Sequence, residues 1–343
     1  MRARILMSND LSTALLRFSG VAFGSRTVPS EEVDAAFGMP SGKLRHRAGI
    51  LSLAYADASE SEMTLAAAAA GETLRNAQVS PGELDWIIAS SETHRAIPSL
   101  AAQLHAAIGA RETCGALDVG GACLGLVHAL VVAKSFVESE QAGTVLVVTA
   151  DVHSRTLTPG RVAGEFGGLF GDGASAFLVQ RKHTGHAQEF FALRDFFFGC
   201  ASRLQAAIEV SAEPGDRLRV VFDGDALSRA ATARLDQCIH ELECRSGIAR
   251  GEAGAFATHQ PNPRLVALLA KKSGVALERF PMIAATRGNL GSTTCAAALH
   301  FALEASRAAV ARLRRPIFVA SLGPGLLFGG GWLAPASVPD ARS

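Results

Sequence analysis

Short apolar runs closed by turn residues recur along the chain, at residues 84–89, 144–149, 176–179, 219–222 and 317–320. Their aliphatic and β-branched content predicts strands buried on both faces. Between them, apolar residues fall at helical spacing over 62–76, 99–108, 124–140, 226–244, 263–272 and 293–312. Strands alternating with helices predict an α/β fold with largely parallel sheets. Two distant stretches share one grammar of helix, strand, glycine-rich turn, strand. The first runs from the helix after Cys123 through VLVVTAD to FGDGASAFLV at Phe170; the second runs from GSTTCAAALHFALEASRAAV through IFVASLG to FGGGWL at Phe328. That repetition predicts a duplicated unit, residues 1–185 and 186–343, with the weakly patterned KHTGHAQ as connector.

Composition sharpens this picture. With 48% hydrophobic and 19% charged residues over 343 positions, the chain can bury a large core and is too apolar for disorder. Its 33 basic and 32 acidic residues leave a net charge of +1, which excludes nucleic-acid binding driven by bulk charge. The longest apolar run, 119–133, is shorter than the roughly 18 to 20 residues that span a bilayer. The N-terminal segment has no convincing apolar core, so a cytoplasmic protein without membrane partners is expected. Six cysteines without a CxxC pair or zinc-type spacing predict mostly buried thiols and no metal site, with room for one reactive exception.

That exception is Cys123, which LDVGGACLGLVHALVV sets in a Gly/Ala-rich turn directly before an apolar helix. A thiol there meets the positive end of a helix dipole and free backbone N–H groups, which lower its pKa and suit it to attack an acyl carbon. Read only as packing, it is a buried cysteine among small side chains. His259 in THQPNPRL and Asn289 in TRGNLGSTT are the companion candidates. An imidazole can exchange protons, and a neutral carboxamide can donate to a developing oxyanion. Each also has a plain structural reading, as a core histidine and as an Asn tolerating left-handed backbone between glycines. Their common placement, each at the start of a helix after a buried strand, makes the set more specific than its members.

At these residues the chain resembles a known family. ACLG at Cys123, FGDGASA at Phe170, HQPNPR at His259 and GNLGS at Gly288 are similar to the signature segments of β-ketoacyl-ACP synthase III, within the thiolase superfamily, in order and spacing from about Arg47 to Trp332. The resemblance implies a thiolase fold: a duplicated, five-layered αβαβα arrangement with two mixed, mainly parallel sheets. It implies a homodimeric acyltransferase of EC class 2.3.1 that needs no cofactor beyond its thioester substrates. Cys123 would accept an acyl group from CoA or acyl carrier protein. His259 and Asn289 would then hold a malonyl-type thioester and stabilise the enolate formed as carbon dioxide leaves. The pathway would be fatty-acid or, as the better match, polyketide or other specialised biosynthesis. Two alternatives keep the acyl-Cys123 intermediate: transfer to an oxygen or nitrogen nucleophile, and condensation of two acyl thioesters without decarboxylation. The backbone N–H of Cys123 and the turn from Gly323 to Gly325 would form the oxyanion hole.

The resemblance also assigns binding residues. Arg264, Lys271 and Lys272 share one helix face and would meet phosphate or an acidic carrier protein, against the plainer reading of a solvated face. Arg161 falls at a position that contacts the CoA nucleotide. Lys43 stands where the housekeeping enzymes carry an adenine-stacking Trp; an ammonium cannot stack so, although it can pair with phosphate, and a carrier-protein donor fits that loss better. Glu92 lies in a region that lines the acyl pocket, where other superfamily branches carry a base; the plainer reading is a surface Glu in a loop. The cluster Phe190, Phe191, Phe196, Phe197 and Phe198 either caps an acyl tunnel or is core.

Overall fold

The computed structural model describes residues 13–181, 189–201, 208–214, 217–222, 224–308 and 314–337. After β1 (Ala14–Phe23), strands β2 (Arg26–Pro29) and β3 (Ser52–Tyr55) form a small sheet around α1 (Ser30–Ala36). Then follow α2 (Glu62–Ala77), β4 (Trp86–Ser90), α3 (Leu100–Ile108), β5 (Gly115–Asp118), α4 (Gly125–Glu138), β6 (Thr144–Val152), α5 (Gly164–Gly167) and β7 (Asp172–Arg181). The rest comprises β8 (Glu189–Cys200), β9 (Ile208–Glu213), β10 (Arg217–Phe222), α6 (Gly224–Ser246), β11 (Ala255–Thr258), α7 (Pro263–Ser273), α8 (Ala284–Arg287), α9 (Ser292–Ala308), β12 (Ile317–Gly323) and β13 (Leu327–Ser337). Residues 182–188, the expected connector, and 309–313, the end of the helix expected over 293–312, lie outside the described residues.

One sheet of nine strands runs β11-β12-β13-β8-β1-β7-β6-β4-β5. Its two ends repeat one pattern. Parallel β11–β12 leads to antiparallel β12–β13 and β13–β8, and parallel β5–β4 and β4–β6 lead to antiparallel β6–β7 and β7–β1. The strands β1 and β8 join the ends in antiparallel register at Leu15↔Ala192 and Leu16↔Phe191. The expectation of two mainly parallel sheets is therefore corrected: the two ends join in one hydrogen-bonded sheet, and most neighbours are antiparallel. A link as short as Pro324–Leu326 can connect only antiparallel partners. The expected turn FGGGWL is also corrected, because it lies inside β13. Its glycines serve close strand approach: a Cβ on Gly330 would sit 2.5 Å from the Val319 carbonyl oxygen. The run 219–222 forms a strand that pairs with β9 in a separate hairpin.

Alternation along the strands decides what each face covers. Val145 and Val147 of β6 share a core with α4, α9, Ile317 and Val319, whereas Leu146 and Val148 face α2 and α3. In β12, Phe318 and Ala320 turn instead toward α6 and α7. The helices α4 and α9 thus share one core with both ends of the sheet. At their heads they abut so closely that a Cβ on Gly125 would meet Ser90 Oγ at 2.0 Å and Ser292 Cβ at 3.4 Å. Among the described residues, no helix is long and apolar enough to cross a membrane.

Candidate active site

Between β5 and α4 the backbone passes through Gly121 at φ 135° and Ala122 at φ 47°. Two successive positive φ values make a sharp turn into the helix that Cys123 precedes, at a local conformational cost for the alanine. The turn is braced from three sides. His128 donates Nδ1–H to the Gly120 carbonyl at 2.8 Å. Ser321 Oγ donates to the Cys123 carbonyl at 2.6 Å. Gly323 packs so close that a Cβ there would lie 2.9 Å from Gly121 O and 3.6 Å from Cys123 N. The end of β12 therefore brings Gly323 beside the Cys123 N–H, while the Gly325 carbonyl accepts from Cys200 Sγ at 3.6 Å and lies outside the cavity wall.

His259 follows β11, with its N–H donating to Ala320 O at 3.1 Å. The chain then enters α7 through Asn262, whose Oδ1 accepts from Leu265 N at 2.9 Å, and Pro263 in the first helical turn. Asn289 is stitched to the FGDG segment: its N–H donates to Leu169 O at 2.8 Å and its carbonyl accepts from Gly171 N at 2.9 Å. Its side-chain Oδ1 accepts from Gly291 N and from Thr294 Oγ1, both at 3.0 Å. With the oxygen so occupied, the NH₂ group is the end presented to the cavity.

Cys123, His259 and Asn289 converge on this cavity, which has a volume of about 140 Å³, apolar walls that include Phe166, Phe170, Leu265 and Leu322, and Glu92 at its edge. Burial lowers the His259 pKa to about 4, so the imidazole is neutral at ordinary pH. The Cys123 thiol behaves contrary to the sequence expectation. Burial, followed by the negative charge of Glu92, pushes its pKa up, so the resting side chain is the thiol.

Glu92 does not occupy an open surface loop; its side chain is 17% exposed and faces the cavity. Sequence reading missed its partners. Asp151 Oδ1 accepts the Glu92 backbone N–H at 2.6 Å, Asp151 Oδ2 accepts from Ser292 Oγ at 2.6 Å, and His153 Nε2 lies 3.7 Å from Glu92 Oε2. Burial raises Asp151 to about 6 against the pull of His153. Burial alone would lower His153, but Glu92 and Asp151 outweigh it and hold its pKa near 9. A signal was present in TADVHSR: Asp151 and His153 stand two apart at the end of an apolar strand, and so share a side.

The remaining predicted residues lie away from the reacting groups. Arg264, Lys271 and Lys272 are exposed along α7. Arg161 Nη1 donates to Thr156 O at 2.8 Å, and Lys43 forms an ion pair with Glu165 at 2.5 Å. The phenylalanine cluster belongs to β8, with Phe191 buried in the shared core; the cavity takes its aromatic walls from Phe166 and Phe170 instead.

Comparison with known proteins adds independent findings. The family described as 3-oxoacyl-[acyl-carrier-protein] synthase III matches residues 117–194, and its C-terminal part matches residues 244–334. A β-ketoacyl-[acyl-carrier-protein] synthase III from Cereibacter sphaeroides is 28% identical over 298 residues, covering 86% of this chain and 90% of that protein. The crystal structure of the Aquifex aeolicus 3-oxoacyl-[acyl-carrier-protein] synthase III superposes with a TM-score of 0.81 at 25% identity, over 93% of this chain and 99% of the other. The priming β-ketosynthase of the R1128 polyketide pathway superposes with a TM-score of 0.79 at 25% identity, over 96% and 97% of the two chains.

Proposed function

We infer that this chain, a β-ketoacyl-ACP synthase III-like condensing enzyme of the thiolase superfamily, loads an acyl group on Cys123 and extends it by decarboxylative Claisen condensation with a malonyl-type thioester. The observation that carries this reading is the convergence of Cys123, His259 and Asn289 on one cavity, with the Asn289 oxygen tied back. A neutral imidazole and a carboxamide NH₂ can both donate to an enolate oxygen without adding a charge that competes with it. The Cys123 and Gly323 N–H groups serve as the oxyanion hole for acyl transfer. About 140 Å³ of apolar space suits a short acyl group, since a cavity of about 150 Å³ accepts benzene.

The repeated strand order supports reading the chain as two thiolase-like halves, 1–185 and 186–343, in a duplicated five-layered αβαβα arrangement. The first half brings Cys123, and the second brings His259 and Asn289. We assign the exposed α7 face of Arg264, Lys271 and Lys272 to an acyl carrier protein or to CoA phosphate, with Arg161 and Lys43 as further contacts, and we take the working enzyme to be a homodimer in fatty-acid or polyketide-type biosynthesis. Because Lys43 is engaged by Glu165, a carrier-protein donor suits it better than free CoA.

Glu92 favours a second reading. A carboxylate at the cavity edge can remove an α-proton, which is what condensation of two acyl thioesters without loss of carbon dioxide requires. Product analysis separates the two, because only the first releases carbon dioxide; transfer to an alcohol or amine would form no carbon–carbon bond. Cys123→Ala is expected to abolish acylation by a labelled thioester, read by intact mass. His259→Ala and Asn289→Ala are expected to load normally and fail to condense. Acylation of Cys123→Ala at the wild-type rate would refute the assignment.

A further inference from the structure

Beside Cys123 lies a buried pair that decarboxylative condensation leaves unused. Glu92 Oε1 and His153 Nε2 have no hydrogen-bond partner, although the two side chains approach to 3.7 Å. Buried polar atoms without partners are rare and call for an explanation. Neither group is loose. Asp151 fixes the Glu92 backbone at 2.6 Å, His153 Nδ1–H donates to Gly171 O at 3.3 Å, and the His153 ring packs on Phe170 with centroids 4.7 Å apart. Gly291 closes the other side: a Cβ there would lie 2.8 Å from Glu92 Oε1 and 2.6 Å from His153 Cε1. The carboxylate lines the same cavity as the Cys123 thiol.

Resting on the reading of Cys123 as nucleophile, we propose that Glu92 takes the Cys123 proton during acyl loading and that His153 is the positioning residue that keeps Glu92 ionised for the task. As Cys123 Sγ bonds to the acyl carbon, its proton passes to Glu92. Collapse of the tetrahedral adduct breaks the bond from that carbon to the donor's sulfur, and Glu92 returns the proton to the departing thiolate. The step is balanced without any other reactant, and His153 remains protonated throughout. The titratable groups around the pair are Asp151 of β6, Asp172 of β7, Cys123 and His259.

The proposal gives Glu92 two opposed effects, and they can be measured apart. Its charge disfavours the free thiolate, while its basicity assists attack on a thioester. Glu92→Gln is therefore expected to speed alkylation of Cys123 by iodoacetamide, read on the Cys123 peptide, and to slow acyl loading from an acyl-CoA or N-acetylcysteamine thioester about a hundredfold. Glu92→Asp retains a carboxylate and is expected to recover part of the loading rate. His153→Gln is expected to move the acid limb of the loading profile upward by about one pH unit or more, because Glu92 loses its cationic partner; a merely structural role would lower the rate without moving the limb. Faster alkylation in Glu92→Gln also certifies a folded site. Wild-type loading by Glu92→Gln, or acceleration of loading and alkylation together, overturns Glu92 as base. An unmoved limb in His153→Gln overturns the positioning role. A wild-type chain that accepts no acyl group from any thioester overturns the functional reading and this inference with it, whereas alkylation indifferent to Glu92→Gln overturns only the pair.

Discussion

Asn289 owes its proposed role to its oxygen as much as to its nitrogen. Were Oδ1 not held by Gly291 N and Thr294 Oγ1, the carboxamide could turn an acceptor toward an enolate and repel it. Thr294→Val is therefore expected to slow condensation about tenfold, since loss of its hydrogen bond to Asn289 Oδ1 costs about 1.4 kcal/mol, and also to lower stability by leaving the Leu290 N–H without its acceptor, as single-turnover product formation and urea unfolding would show. The two site histidines should mark the pH dependence of stability in opposite directions. For His259, with a folded pKa of about 4, the unfolded chain binds the proton first, so stability falls as pH drops from about 6.5 toward 4. For His153, held near 9, the folded chain keeps the proton, and its contribution, present below about 6.5, is lost as pH rises through 9. Urea unfolding across that range should find the acid slope reduced in His259→Ala and the alkaline slope reduced in His153→Gln. At this scale the sequence was legible where a local motif set a residue at the head of a helix, as at Cys123, His259 and Asn289, which the structure brings to one cavity. It was silent on the thiol's raised pKa and on the Glu92–His153 contact, because burial and charge proximity arise from segments some sixty residues apart.

At the scale of elements, local signals located most of the helices well. The expected helix 62–76 forms as α2 because Ser61 and Thr64 cap each other's backbone N–H groups before an alanine-rich run. Strand direction was less legible, since pairing is decided by partners far along the chain. Glycine misled the reading of β13, where it marks two strands in close approach and not a reversal. The same constraint is sharper at Gly125, at the head of α4. Gly125→Ala is expected to destabilise the fold by about 1 to 3 kcal/mol through overpacking against Ser90, measured by chemical denaturation, and to slow loading by displacing the Cys123 turn.

For the whole molecule, the repeat visible in the sequence has become one continuous sheet around a core to which both ends contribute. The two tryptophans, Trp86 in β4 and Trp332 in β13, sit toward opposite ends of that sheet and report on each end separately. With one shared core, Trp86→Phe and Trp332→Phe variants should show fluorescence transitions that coincide with each other and with circular dichroism; separate midpoints would mean that the ends unfold independently. The abutting heads of α4 and α9 carry a further consequence. Each helix directs roughly half a positive elementary charge toward the point where they meet, so negative charge arising on either the sulfur or the enolate oxygen falls under the same fixed potential. In the proposed cycle this one junction would serve both halves, with no rearrangement of backbone dipoles between them.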